Sequence, residues 1–271
     1  MKKRLFAIMS MAFAIVLVMS SCKKEKVTTQ NSENPSGENV ERPSGDETIK
    51  NAVTDIDGNT YDAVKLGNQV WMAKNLRTTK YADGTPIPLD SSTSTTTAYR
   101  YCPNGQESNV SNYGYLYNWK AVMGNSTSSE ANPSGVQGIC PNGWHVPSDA
   151  EWTQLTDYLS SHRFYVYGSN NKYIAKALAF NKWWSGSSNY GSIGENQSSN
   201  NATGFSAVPA GGHYSGHRFS GFGKDAYLWS TTTEEDDVNR VMCRSLNNEI
   251  PFVLNFDHGS TAGFSVRCVR D

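Results

Sequence analysis

The sequence has no excess of positive charge: 24 Lys and Arg stand against 25 Asp and Glu in 271 residues, for a net charge of -1. A nucleic-acid surface normally shows as a basic excess or a Lys/Arg stripe, and beyond the short Lys23-Lys24-Glu25-Lys26 cluster there is none. No nucleic-acid partner is expected. There is also no Gly-x-Ser-x-Gly, no His-Glu-x-x-His and no phosphate-binding loop, which removes the best-marked hydrolase, zinc-protease and nucleotide chemistries. The five histidines are scattered; His213 and His217 are four apart, but Tyr214-Ser215-Gly216 between them is not helical, so no shared metal-binding face follows. Long apolar helical runs are scarce after residue 19. No catalytic residue is assigned.

What is present begins with a targeting signal. Lys2, Lys3 and Arg4 precede an almost uninterrupted apolar run over 5–19, and Ser20-Ser21 leads to Cys22. The pattern is similar to a bacterial lipoprotein signal, so residues 1–22 are expected to be the signal with Cys22 as the lipidated residue. Such an anchor implies an exported, membrane-tethered protein of the outer membrane or cell surface. Residues 23–52 offer almost nothing to bury and are expected to be a disordered linker on the order of 30 Å long. The folded domain is expected over 53–271.

Four cysteines remain: Cys102, Cys140, Cys243 and Cys268. An even number in an exported chain makes all four disulfide candidates, with three pairings open. Cys140 with Cys268 would staple the two ends of the domain; buried free thiols are the alternative.

The clearest local signal is Ser148, followed three residues later by Glu151 and by Trp152, Leu155, Tyr158 and Leu159 at helical spacing. That is a capping box opening a helix. The lead-in carries Trp144 and Val146 toward the same core. A second helix is expected over 174–180. Residues 63–66 and 69–73 around Gly67-Asn68 read as a hairpin, 205–208 as a short strand, and 226–231, 238–246 and 251–256 as further strands. Phe264, Val266 and Cys268 alternate with Ser265, Arg267 and Val269 in a closing strand. The aromatics over 99–119 read as core, with Trp119, Val122 and Met123 on one face of a short helix. Asp55, Asp57 and Asn59 echo a calcium loop, but Thr60 and Leu66 stand where glycine and glutamate are needed, so an Asx-rich turn is expected.

Six stretches stand out in order: Val70-Trp-Met-Ala-Lys-Asn-Leu76, Tyr113-Gly-Tyr-Leu-Tyr-Asn-Trp119, Cys140-Pro-Asn-Gly-Trp-His-Val-Pro-Ser-Asp-Ala-Glu-Trp152, Gly204-Phe-Ser-Ala-Val-Pro209, Leu228-Trp-Ser-Thr231 and Gly263-Phe-Ser-Val-Arg-Cys-Val-Arg-Asp271. Together they resemble a known family, the Fibrobacter succinogenes major paralogous domain (FISUMP). Proteins of this kind are typically exported by Bacteroidetes and Fibrobacteres, often as lipoproteins, and the resemblance implies no general activity. The Val146-to-Trp152 and closing segments are also similar to the formylglycine-generating-enzyme branch of C-type-lectin-like folds. That resemblance implies an α+β, C-type-lectin-like domain of short antiparallel strands, two helices and long irregular loops. It does not carry chemistry. The closely spaced copper-binding cysteines of that oxidase have no counterpart here, and neither have the Glu-Pro-Asn or Gln-Pro-Asp sugar motifs of calcium-dependent lectins.

These readings point to a binding or adhesion lipoprotein rather than an enzyme, with a glycan or an extracellular host or matrix protein as partner. Loops 185–201 and 211–224 are the expected binding surface, with Tyr190, Tyr214, His217, Arg218 and Phe219 as its residues. No cofactor is required. Calcium is the one metal weighed, with Glu234, Glu235, Asp236 and Asp237 as its candidate ligands against a solvated acidic turn. An enzyme of unknown chemistry and a structural coat protein are the alternatives.

Overall fold

The computed structural model describes residues 32–33 and 39–271; the expected signal, the lipidation site at Cys22 and much of the expected linker lie outside the described residues. Strands β1 (Ser32–Glu33) and β2 (Asn39–Val40) form a short ladder. Next, β3 (Glu47–Thr54) pairs antiparallel with β4 (Thr60–Leu66), so ordered structure starts before the boundary drawn at residue 53. β3 is an edge strand with a largely exposed, polar surface, which leaves little apolar alternation to read. β5 (Gln69–Met72) completes the hairpin through Gly67-Asn68, with Gly67 at φ +59°.

Further on come β6 (Arg100–Tyr101), α1 (Val110–Tyr113), β7 (Leu116–Asn118) and α2 (Trp119–Met123), then β8 (Trp144–His145) and α3 (Asp149–Ser161). α4 (Ala175–Leu178) precedes β9 (Gly212–Tyr214), β10 (Arg218–Ser220), β11 (Asp225–Thr233), β12 (Arg240–Asn247) and β13 (Leu254–Gly259). The chain closes with β14 (Gly263–Phe264) and β15 (Val269–Arg270). Besides the β1–β2 ladder, three antiparallel sheets result, in the orders β3-β4-β5-β15-β8, β10-β9-β14-β7-β6 and β11-β12-β13. The architecture is mixed α+β, with few short helices and much loop.

Three expected elements differ from their reading, the strand expected over 251–256 being shifted to β13, Leu254–Gly259, and two others being shorter. The helix over 174–180 holds only as α4, because Ala179 leaves the helix for an extended bridge to Ala207. The strand over 205–208 is reduced to that bridge, since Ser206 takes φ +58°, outside the β region. The closing segment does alternate, with Phe264, Val266 and Cys268 in one apolar cluster, but it divides between two sheets. β15 lies between β5 and β8, Val269 facing Trp71, so the last strand sits beside the opening hairpin.

α3 is built as its sequence indicates. Ser148 Oγ accepts from Glu151 N at 3.2 Å and a Glu151 carboxylate oxygen accepts from Ser148 N at 3.0 Å, closing the capping box. Trp152, Leu155 and Leu159 are buried, and the Trp152 ring lies 4.4 Å from Trp71 and 6.0 Å from Phe205. Burial of each such side chain stabilises the fold by about 1.5–3 kcal/mol. Trp144 and Val146 pack instead in the other main cluster, with Cys140 and Phe264.

The capping glutamate has a second task. His145, almost fully buried, sits between Glu151 Oε1 and Asp271 Oδ1, each 2.7 Å away. Burial alone would lower its pKa, but the hydrogen bonds to the two carboxylates outweigh burial and raise it above 6.5. A raised folded-state pKa means that the protonated form favours the native state, so this contribution is full below the unfolded value and lost as pH rises through the folded one. Thermal unfolding followed over a pH series is expected to show wild type losing stability above pH 6.5 relative to His145→Gln. Parallel curves would remove the histidine from the account.

Cys140 and Cys268 form a disulfide across 128 residues of sequence. Cys102 and Cys243 are buried free thiols, so the four candidates yield one bridge and two apolar core residues. Burial pushes both thiols upward in pKa. By the chain-entropy argument, closing so long a loop contributes about 4–5 kcal/mol. The Cys140→Ser/Cys268→Ser double variant is expected to unfold at a correspondingly lower denaturant midpoint, and an unchanged midpoint would refute that origin.

Candidate functional site: a cleft beside Trp183

A cleft of about 470 Å³ opens between the first sheet and the segments around 111–114, 180–183 and 204–208. Its size suits a small ligand or one or two sugar rings. Lys50, Asp62, Lys74 and Arg77 supply its charges, Ser111 and Asn112 polar groups, and Phe180 and Trp183 an aromatic wall.

The floor is organised by a buried arginine. Arg267 is fully buried, and no carboxylate pairs with it among the described residues. Its Nε donates to Asn75 Oδ1 at 2.7 Å, one terminal nitrogen donates to the carbonyls of Met72 (2.9 Å) and Phe205, and the other to Ser206 O at 2.7 Å. The guanidinium also lies 4.4 Å from the Phe205 ring centroid. Burial pulls its pKa down to about 9, which still leaves it charged at neutral pH. Asn75 in turn donates to Tyr113 O at 2.9 Å and Ser265 Oγ at 3.0 Å. One cation therefore joins the end of β5, the 204–206 turn and the start of the 113–119 segment. Gly114 fits this junction because an added Cβ would come within 2.7 Å of Asn75 Cβ and Leu76 O, at φ +74°.

The rim carries backbone strain. Among the described residues, seven non-glycine positions have positive φ, and four are asparagines, which tolerate that region; the others are Trp183 (+75°), Ser206 (+58°) and His217 (+58°). Trp183 and Ser206 both line the cleft. A left-handed conformation at a bulky residue costs about 1–2 kcal/mol and survives only where neighbours enforce it. Here they do. Trp184 is buried, and Gln197 clamps its backbone, accepting from Trp184 N at 3.3 Å and donating to Trp184 O at 2.8 Å. With Trp184 held inside, the turn throws Trp183 outward, 40% exposed, with its ring 4.9 Å from Phe180 and 5.2 Å from Tyr113.

Loop 185–201 thus acts largely as a strut. Ser192 and Ile193 are buried, and the buried Lys176 ammonium donates to the carbonyls of Ser192 (3.1 Å), Glu195 and Asn196 (3.4 Å). Its polar composition reads as surface, yet its backbone carbonyls solvate a buried cation. Burial lowers the Lys176 pKa to about 8.

Of the five residues expected at the site, Tyr214, His217, Arg218 and Phe219 share the β9–β10 hairpin, and Tyr190 stands apart from them. Tyr190 is exposed and packs on Tyr167 and Tyr173. Tyr214 meets His258 and Phe264, Phe219 covers the buried ring of His213, Arg218 pairs with Tyr214 across the β9–β10 hairpin, and His217 Nδ1 lies 2.5 Å from Ser91 O. These neighbours share nothing with those of Tyr190, although the two loops touch where Ser185 N donates to Gly223 O at 2.6 Å. None of the five lines the cleft. Glu234, Glu235, Asp236 and Asp237 occupy the β11–β12 connection, where Asp237 Oδ1 accepts from Asn239 N and Glu234 N donates to Arg240 O. Among the described residues no group of three or more His, Cys, Asp or Glu is arranged to hold a metal. Asp55 is the Asx turn expected of it, accepting from Asp57 N, Asn59 N and the Tyr61 hydroxyl.

Fold and cleft together define a mixed α+β domain with a ready-formed, aromatic-walled cleft. The chain belongs to the Fibrobacter succinogenes major domain family, whose model matches residues 64–270. No curated protein and no solved structure matches it. Three of the six segments that carry the family resemblance supply lining residues, Ala73, Lys74 and Asn75, then Gly114, then Gly204 and Ser206, and Arg267 of a fourth lies beneath; segments 140–152 and 228–231 do not line the cleft. Trp183, Phe180, Lys50 and Arg77 come from outside those segments. Sequence reading passed over Trp183; the signal was a tandem tryptophan in an otherwise Asn/Ser/Gly stretch, where one ring anchors and the other is free.

Proposed function

We propose that this is the binding domain of an exported, lipid-anchored surface protein and that it takes a saccharide in the cleft beside Trp183, binding it without turnover. The observation that carries this reading is the strained, outward-turned Trp183 over Phe180 and Tyr113, an aromatic face presented beside hydroxyl and amide groups of Ser111 and Asn112. Sugar rings stack an apolar C–H face on such a surface while their hydroxyls bond to the polar rim. The N-terminal signal pattern supports export and anchoring at the outer membrane or cell surface. The closing strand beside the opening hairpin supports kinship with lectin-like folds. A glycan and matrix-protein array probed with the full chain, with and without calcium, tests the reading. Saccharide binding that Trp183→Ala removes is the expected result. Binding only to proteins, or binding indifferent to Trp183, would overturn it.

A further inference from the structure

The chain as a whole carries one more acid than base, yet the cleft beside Trp183 reverses that balance: Lys50, Lys74 and Arg77 line it against a single carboxylate, Asp62. Asp62 is already engaged, accepting from Lys50 Nζ at 2.8 Å and from Asn51 N at 2.9 Å. Lys50 is thereby accounted for. Lys74 and Arg77 have no ion pair among the described residues, and Lys74 is solvent-exposed. Arg77 is half-buried, held at its backbone where its N–H donates to the Tyr61 hydroxyl at 3.0 Å. It also borders a shallower depression lined by Asp57 and Glu107; Asp57 is taken up by Thr79, Thr78 and Lys80, and Glu107 forms no ion pair with Arg77. Two cations without an ion pair beside an aromatic wall form a recognition pattern for a ring that bears an anion.

We propose that the cleft selects an acidic saccharide, one whose rings carry carboxylate or sulfate groups, with Trp183 stacking a ring and Lys74 and Arg77 holding the anion. The proposal rests on the saccharide reading above and narrows it. A nucleotide would share the stacking and the charge, but a phosphate is normally cradled by backbone N–H groups at a glycine-rich turn or the start of a long helix, and the one helix bordering the cleft, α1, has four residues. The polar rim of Ser111 and Asn112 suits hydroxyl-rich rings better. An arginine is geometrically matched to a carboxylate or a sulfate, whereas Lys74 acts as a point charge, so the two contribute differently.

Titration calorimetry on the full chain tests this with four probes: an oligogalacturonide, a sulfated galactan oligosaccharide, neutral oligosaccharides of equal length and a nucleoside monophosphate. One of the two acidic saccharides is expected to bind at least about tenfold tighter than the neutral ones, with affinity falling as salt rises. Comparing the two identifies the carboxylate or the sulfate as the anion. Lys74→Ala and Arg77→Ala are each expected to weaken acidic binding about five- to tenfold, and neutral binding by clearly less. Neutral sugars binding as tightly, with dependence on Trp183 but not on Lys74 or Arg77, would overturn the selectivity while the saccharide reading stands. A nucleoside monophosphate binding tightest, or no saccharide binding, would overturn both.

Discussion

Alanine at Trp183 is expected to weaken saccharide binding by about ten- to a hundredfold while changing the unfolding temperature little. A stacked tryptophan at the centre of a site is commonly worth about 2 kcal/mol or more when truncated. The side chain is 40% exposed, and its ring contacts within the fold are Phe180 and Tyr113, so its removal opens no core cavity. The backbone supplies an internal control. Because position 183 sits at φ +75°, glycine should be tolerated better than alanine, by about 1 kcal/mol, although both lose the ring. Calorimetry and thermal melts of Trp183→Ala and Trp183→Gly check both halves. Undiminished affinity in either variant would detach Trp183 from ligand binding, and a less stable glycine variant would contradict the strain argument.

The second large effect is on stability. Replacing Arg267 with methionine is expected to cost about 4 kcal/mol or more, a large fraction of what typically holds a domain together. Three carbonyls and the Asn75 side-chain oxygen would lose their donor inside the protein. Leaving a buried acceptor unsatisfied costs about 1–3 kcal/mol, although four such losses around one group are not additive. Lysine keeps the charge but offers three donors in a different geometry, so Arg267→Lys should fall between methionine and wild type. Urea unfolding of the three proteins gives the order; a methionine variant within 1 kcal/mol of wild type would show that the clamp is incidental.

How much of this could be read from the chain depends on how local each determinant is. The α3 helix was legible because Ser148, Glu151 and the apolar residues lie within a dozen positions, and the opening hairpin because Gly67-Asn68 marks its own turn. β3 was not, since an exposed edge strand carries no alternation. The part Arg267 plays is not legible for a related reason: alternation assigns it only to a strand face, whereas its acceptors come from positions 61 to 195 residues away, which no local pattern reports. The candidate site was missed in the same way. Aromatic and glycine content drew attention to 214–219, where Phe219 in fact covers His213, whereas the outward turn of Trp183 is set by Gln197 gripping Trp184 from across a loop.

The most direct test of the cleft as the binding site is a two-dimensional NMR titration of isotope-labelled full chain with the tightest saccharide from the array. The account predicts that the Trp183 indole N–H and the amides of Asn75, Gly114 and Ser206 shift together along one saturable curve, while Tyr190 and residues 214–219 stay in place. Shifts confined to Tyr190 or to 214–219, with Trp183 unmoved, would contradict it.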